Sequence, residues 1–216
     1  MTAIGKPRLR GASHQWAFFV AVAAGVVLVL AAPTAEARLA VAIYALSVCA
    51  LFGASAVYHR VTWASQAARR WARRVDHSMI FLLIAGTYTP FALLALDGTI
   101  GTVILVVVWV GALGGIVLNL LWIDAPKWLA ALIYVLLGWV AVAAFPDLLE
   151  AMGVTAAAML AAGGLLYSIG AVVYALKRPD PAPRVFGYHE VFHALVIAAA
   201  ALQYAVVAFW VVPAAG

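Results

Sequence analysis

Long apolar runs separated by short polar clusters set the pattern of this chain. Residues 16–32, 39–58, 75–96, 100–122, 128–145, 156–176 and 189–212 are each predominantly apolar. A bilayer core about 30 Å thick needs about 20 helical residues at 1.5 Å rise apiece. The pattern therefore predicts an all-α fold, a bundle of seven transmembrane helices. No polar linker or low-complexity tract divides residues 1–216, so one domain is expected. Pro90 should bend the third helix, with Thr87, Tyr88 and Thr89 satisfying the backbone groups it frees. Gly111 with Gly115, and Gly164 with Ser168, read as close helix–helix contacts.

Composition agrees: 68% of the residues are apolar and only 10% charged, with mean hydropathy +1.09. A soluble domain of 216 residues cannot hide that much apolar surface. The formal charge of +5 fixes orientation rather than a nucleic-acid partner. With the N-terminus inside, Lys6, Arg8, Arg10, Arg60, Arg69, Arg70, Arg73, Arg74, Lys127, Lys177, Arg178 and Arg184 share one side, and only Arg38 lies outside. The positive-inside rule then gives a cytoplasmic N-terminus and an outer C-terminus. Trp16, Trp122, Trp128 and Trp210 fall near the interfaces. The first run also admits a signal-peptide reading, with Ala35-Glu36-Ala37 as the cleavage site, although it is long for one. Cys49 reads as a small packing residue in mid-membrane.

Placed on this topology, the histidines gather. His14 precedes the first run, His59 ends the second, Asp76 and His77 begin the third, and His189 and His193 begin the seventh. All lie within a few turns of the cytoplasmic face. Ionisable groups at such positions are costly and turn toward the bundle interior. His189 and His193, four apart, share one helix face. His59, His189 and His193 are the candidate metal ligands, three imidazoles leaving one tetrahedral position open as in catalytic zinc sites. Ser55, one turn before His59, is placed to hydrogen-bond behind them, and Asp76 to orient a water or take its proton. The plainer readings make Asp76 a helix cap and His77 and His14 boundary residues. His189-Glu190-x-x-His193 also matches the metalloprotease H-E-x-x-H, but no Asp, Glu or His follows His193 to supply a third ligand.

Four stretches together resemble the hemolysin III family, the bacterial branch of the progestin and adipoQ receptor group: Arg10-Gly11-Ala12-Ser13-His14; Ser55-Ala56-Val57-Tyr58-His59; Asp76-His77-Ser78-Met79-Ile80 with Ala85 through Phe91; and His189 through His193. The resemblance implies seven helices in the bacterial cytoplasmic (inner) membrane and zinc held at His59, His189 and His193. It also implies that Asp76 contacts the metal's water and that Glu190 is dispensable as a base. Zinc-dependent ceramide hydrolases in the wider group imply hydrolysis of a lipid amide or ester, with membrane lipids as partners. Gln203 departs from the family, whose bacterial members commonly have His there. It lies 14 residues beyond His189, about 21 Å along a helix, outside any shared metal shell. Competing expectations are a receptor or membrane-homeostasis protein with structural zinc, and a pore-forming haemolysin, for which the sequence offers no secreted amphipathic segment.

Overall fold

The computed structural model describes residues 7–216, with the Lys127 side chain excepted; Lys6 lies outside the described residues. It is all-helical: α1 (Ala12–Ala31), α2 (Ala35–Arg60), α3 (Gln66–Leu94), α4 (Gly98–Leu121), α5 (Lys127–Gly138), α6 (Phe145–Leu176) and α7 (Tyr188–Val206). A 3₁₀ stretch, Val140–Ala144, joins α5 to α6. A π-helical stretch, Val207–Val211, and one last turn extend α7. Among the described residues there is no strand, only an isolated bridge between Ala182 and Phe186. Among the described residues, six helical stretches are long and apolar enough to cross a membrane. The protein is a multi-pass membrane protein.

The helix ends differ from the hydropathy pattern for local reasons. α3 starts nine residues before the predicted 75, because the Ser65 side chain caps it by accepting from the Ala68 N–H at 3.1 Å. Its first turns are rich in arginine, a good helix former that hydropathy penalises. There Arg73 and Arg74 donate to the Ile123 and Leu120 carbonyls, and Arg70 and Arg73 also pair with Asp124. The arginines thus close the carbonyl end of α4, where the helix dipole favours cations. Ala35-Glu36-Ala37 is the first turn of α2, capped by Thr34, with Ala37 buried.

The fifth and sixth predicted runs form one helical stretch, Trp128–Leu176, of 49 residues. Two breaks divide it. At the first, Tyr88 of α3 donates to the Gly138 carbonyl at 2.6 Å and accepts from the Ala141 N–H at 2.7 Å. Tyr88 therefore repairs a neighbour's backbone, whereas the sequence suggested its own. Thr89 does serve α3, donating to the Ala85 carbonyl, and the helix runs on through Pro90. The second break is Gly153, with φ 78° and ψ 171°, a region essentially reserved for glycine. The Trp139 indole on one side of it donates to Ser168 on the other at 2.8 Å.

α2 and α3 pack along much of their length, as do α1 with α2, α3 with α4, and α6 with α7; α1 also touches α7. α3 is the most enclosed helix. Gly86 permits the α2–α3 approach: a Cβ there would overlap the Ser47 side chain. Gly111 and Gly115 likewise face Leu137 and Phe81 closely, but Gly164 has open space before it, so Gly164 is not a helix contact. It borders a cavity instead. Cys49 is half-buried, in keeping with packing.

Gly86→Ala is expected to overpack the α2–α3 seam by about 1–3 kcal/mol. Thermal unfolding in detergent should show a lower Tm, and adding Ser47→Gly should restore most of the loss. No recovery in the double variant would place the strain elsewhere.

Candidate metal centre

Two helices bring the predicted ligands together. His59 ends α2, and His189 and His193 lie in the first two turns of α7, all three buried. One candidate ligand nitrogen from each lies within 4.8 Å of the others. His59 Nε2 and His189 Nε2 are 3.1 Å apart. Two imidazoles on one tetrahedral zinc ion at about 2.0–2.1 Å have nitrogens roughly 3.3–3.4 Å apart, so the pair needs almost no movement to share an ion. The His193 ring is 1% exposed as a residue, and its Nδ1 has no hydrogen-bond partner. A buried polar nitrogen left so is costly. The donor set and the spacing fit a divalent cation.

Asp76, in the third turn of α3, places its Oδ2 3.9 Å from His59 Nε2. Ser55 lies one turn before His59, is buried, and hydrogen-bonds the Asp76 side chain. The two residues expected to assist the ligands thus sit together beside them. His77 is outside the cluster of three imidazoles, although it lines the same cavity. It is half-buried, edge-on to Tyr174, and its carbonyl accepts from Tyr134.

Glu190 is 1% exposed, and both its oxygens are engaged. Oε2 accepts from the Gly187 N–H at 2.8 Å, so the third residue of α7 reaches back over the helix start. Oε1 pairs with Arg10, 180 residues away in sequence. Glu190 closes the end of α7 and anchors the N-terminal segment, which leaves the metalloprotease reading of His189-Glu190-x-x-His193 without its base. Beside this pair, Arg8 and Leu9 donate backbone N–H groups to Arg184 and Val185, each at 3.1 Å.

His14 corrects the sequence reading. It is 2% exposed rather than at the boundary, and its ring stacks on His193 with centroids 3.7 Å apart and planes 10° from parallel. α1 begins four residues earlier than hydropathy suggests, which carries His14 inward. The available signal was depth, since His14 sits at the level of the other four histidines. Helix geometry alone cannot show that α1 lies beside α7.

From this centre an apolar cavity of about 210 Å³ runs between α3, α5, α6 and α7. Asp76, His189 and His193 line one end, and Phe91, Leu148 and Gln203 lie deeper. Its wall on α3 extends from Asp76 to Ala92, roughly 24 Å of helix. That volume is below the ~300–1,000 Å³ usual for drug-sized ligands. Gln203 is in the wall, donating to the Leu160 carbonyl at 3.3 Å, well away from the histidines.

Residues 2–204 match the family described as Haemolysin-III related. The chain belongs to that family. It is 30% identical over 219 residues to Hemolysin-3 of Bacillus cereus, covering 100% of this chain and 96% of that protein. To the Hemolysin-3 homolog of Bacillus subtilis (strain 168) it is 32% identical over 170 residues, covering 79% and 76%. A more distant likeness, 28% over 165 residues and 75% and 66% of the two chains, connects it to the human monocyte to macrophage differentiation factor, and so to the progestin and adipoQ receptor group.

Arg10→Ala should destabilise more than Glu190→Gln. The first strands a buried carboxylate, a loss of about 3–5 kcal/mol; the second keeps the cap on Gly187 and leaves Arg10 free to turn toward water. Equal Tm losses for the two variants would contradict this account of the pair.

Proposed function

We propose that the protein is a zinc-dependent hydrolase of a lipid amide or ester, working just inside the cytoplasmic face of the bacterial inner membrane. The observation that carries this reading is the meeting of three buried imidazoles, a carboxylate and the mouth of an elongated apolar cavity. His59, His189 and His193 hold the ion. When bound, zinc supplies Lewis acidity for an acyl carbonyl and brings the pKa of a coordinated water to about 7. Asp76 accepts the proton from the attacking water and returns it to the leaving amine or alcohol. The Ser55 hydroxyl fixes the carboxylate that does so. The cavity wall holds the acyl chain in register, so that chain binding supports chemistry at the headgroup end.

The same proposal includes seven membrane crossings with the N-terminus inside. The stretch Trp128–Leu176 would be about 74 Å long if straight, more than twice a bilayer core. Gly153 divides it where a turn outside the membrane would fall, and the Trp139–Ser168 bond suits two antiparallel arms. The basic residues then keep to the cytoplasmic side.

A second reading has one specific support. Asp76, 3.9 Å from His59 Nε2, is near enough to become a fourth ligand. That would close the site and make the metal a structural tie between α2, α3 and α7, in a receptor or homeostasis role.

Metal analysis of the purified protein should find about one zinc per chain, lost in His193→Ala. Asp76→Asn separates the two readings. As a base, Asp76 can be replaced with retention of metal but a loss of hydrolysis of roughly 10²–10⁴-fold; as a ligand, its replacement lowers zinc content. Wild-type protein that carries zinc yet turns over no ceramide-like amide or lysolipid ester would remove the hydrolase reading. For topology, single cysteines in a Cys49→Ser background should label from outside at Val154→Cys and Ala215→Cys, and from the cytoplasm at Ala64→Cys.

A further inference from the structure

We propose that His14 is a positioning residue for the metal centre, holding the His193 ring at the angle from which it can share an ion with His59 and His189. The inference rests on the metal reading above and concerns a residue outside the ligand set.

An imidazole's last torsion, about Cβ–Cγ, is broad and roughly two-fold, so a histidine held only by its backbone can turn its nitrogens away. The His59, His189 and Phe192 rings around His193 are tilted to it or edge-on, and none lies flat against its face. Its Nδ1 makes no hydrogen bond, although metal-ligating histidines ordinarily use the second nitrogen to fix ring orientation. What the ring has instead is a flat neighbour, His14, 3.7 Å away and within 10° of parallel. Rotating His193 would drive its edge into that face. Neither His14 ring nitrogen makes a hydrogen bond of ordinary geometry, although the ring reaches the His193 backbone, so the flat face is its main hold on the His193 ring.

The sequence around His14 holds this backing ring in place. Gly11, at φ 78°, lies so close to His59 that a Cβ there would overlap the His59 side chain. Arg10 is fastened to Glu190, one turn before His193's own turn of α7. Phe52 of α2 supports His14 from another side, with ring centroids 5.0 Å apart. The stretch Arg10-Gly11-Ala12-Ser13-His14 therefore touches both helices that carry ligands. It sets the ring against His193 from outside the group it orders.

Two substitutions separate ring from nitrogen. His14→Phe keeps a flat face and removes both nitrogens; His14→Asn keeps a nitrogen and removes the ring. Zinc affinity, read by competition with a chelator, should stay near the wild-type value for Phe and fall about 10- to 100-fold for Asn, the usual effect of losing an orienting partner. Cobalt-loaded protein gives a second readout. Its visible absorption should match wild type for Phe and shift or weaken for Asn, because that band reports ligand geometry. The metal-free Tm of each variant shows whether it folds; should Phe crowd against Phe52, the Asn arm decides alone. Asn binding as tightly as wild type overturns the inference, as does a reversed order with Phe the weaker. Wild-type protein that takes up no metal would instead remove the metal reading, and this inference with it.

Discussion

Polar side chains withdrawn from water inside an apolar bundle must find partners among themselves or in a shared cation, and this constraint organises the histidine-bearing end of the molecule. Four imidazoles, two carboxylates and a serine hydroxyl are buried there together. Each unpaired group would cost on the order of 1–3 kcal/mol, and a lone charge more. The arrangement divides them into two systems. Glu190 is satisfied by Arg10 and the start of α7, while Asp76 is satisfied by Ser55 and faces His59. The imidazoles are left facing one another, a mutual arrangement that neutral rings tolerate and a divalent ion completes.

The helices serve that end in different ways. α2 and α3 bring His59 and Asp76 together through a close seam made possible by Gly86. α7 contributes two of the clustered imidazoles, and its start is fastened by Glu190 and by the bond from the Tyr188 N–H to Asp180 at 2.8 Å. α5 and α6 take little part in the centre and form much of the cavity wall. The break after Gly138 is held open by Tyr88, so the helix bearing Asp76 also shapes the cavity beside it.

Much of this was legible in the sequence, and the exceptions have physical causes. Apolar runs located the helices because backbone groups in lipid must bond within the helix. They missed the first turns of α3, where capping and arginine, not hydropathy, decide. His59, His189, His193, Ser55 and Asp76 could be placed together because a bilayer turns sequence position into depth. Depth is one coordinate only. It says nothing about which helices are neighbours around the bundle, and so His14 looked like a boundary residue until α1 was seen beside α7. Gly164 failed for a related reason: small residues at helical spacing mark a close neighbour or a void with equal ease.

The pairing of Arg10 with Glu190, and of residues 8 and 9 with 184 and 185, has a consequence for biosynthesis. The chain's beginning is fastened to a segment made about 180 residues later, which at 5–20 residues per second is roughly 9–36 s of translation. Through that interval α1 waits in the membrane with an unmatched arginine and histidine at its head. The histidine cluster can form only when the last helix arrives, so the fold carries its own check on completeness: a truncated chain has neither the imidazoles of α7 nor a partner for its own first helix.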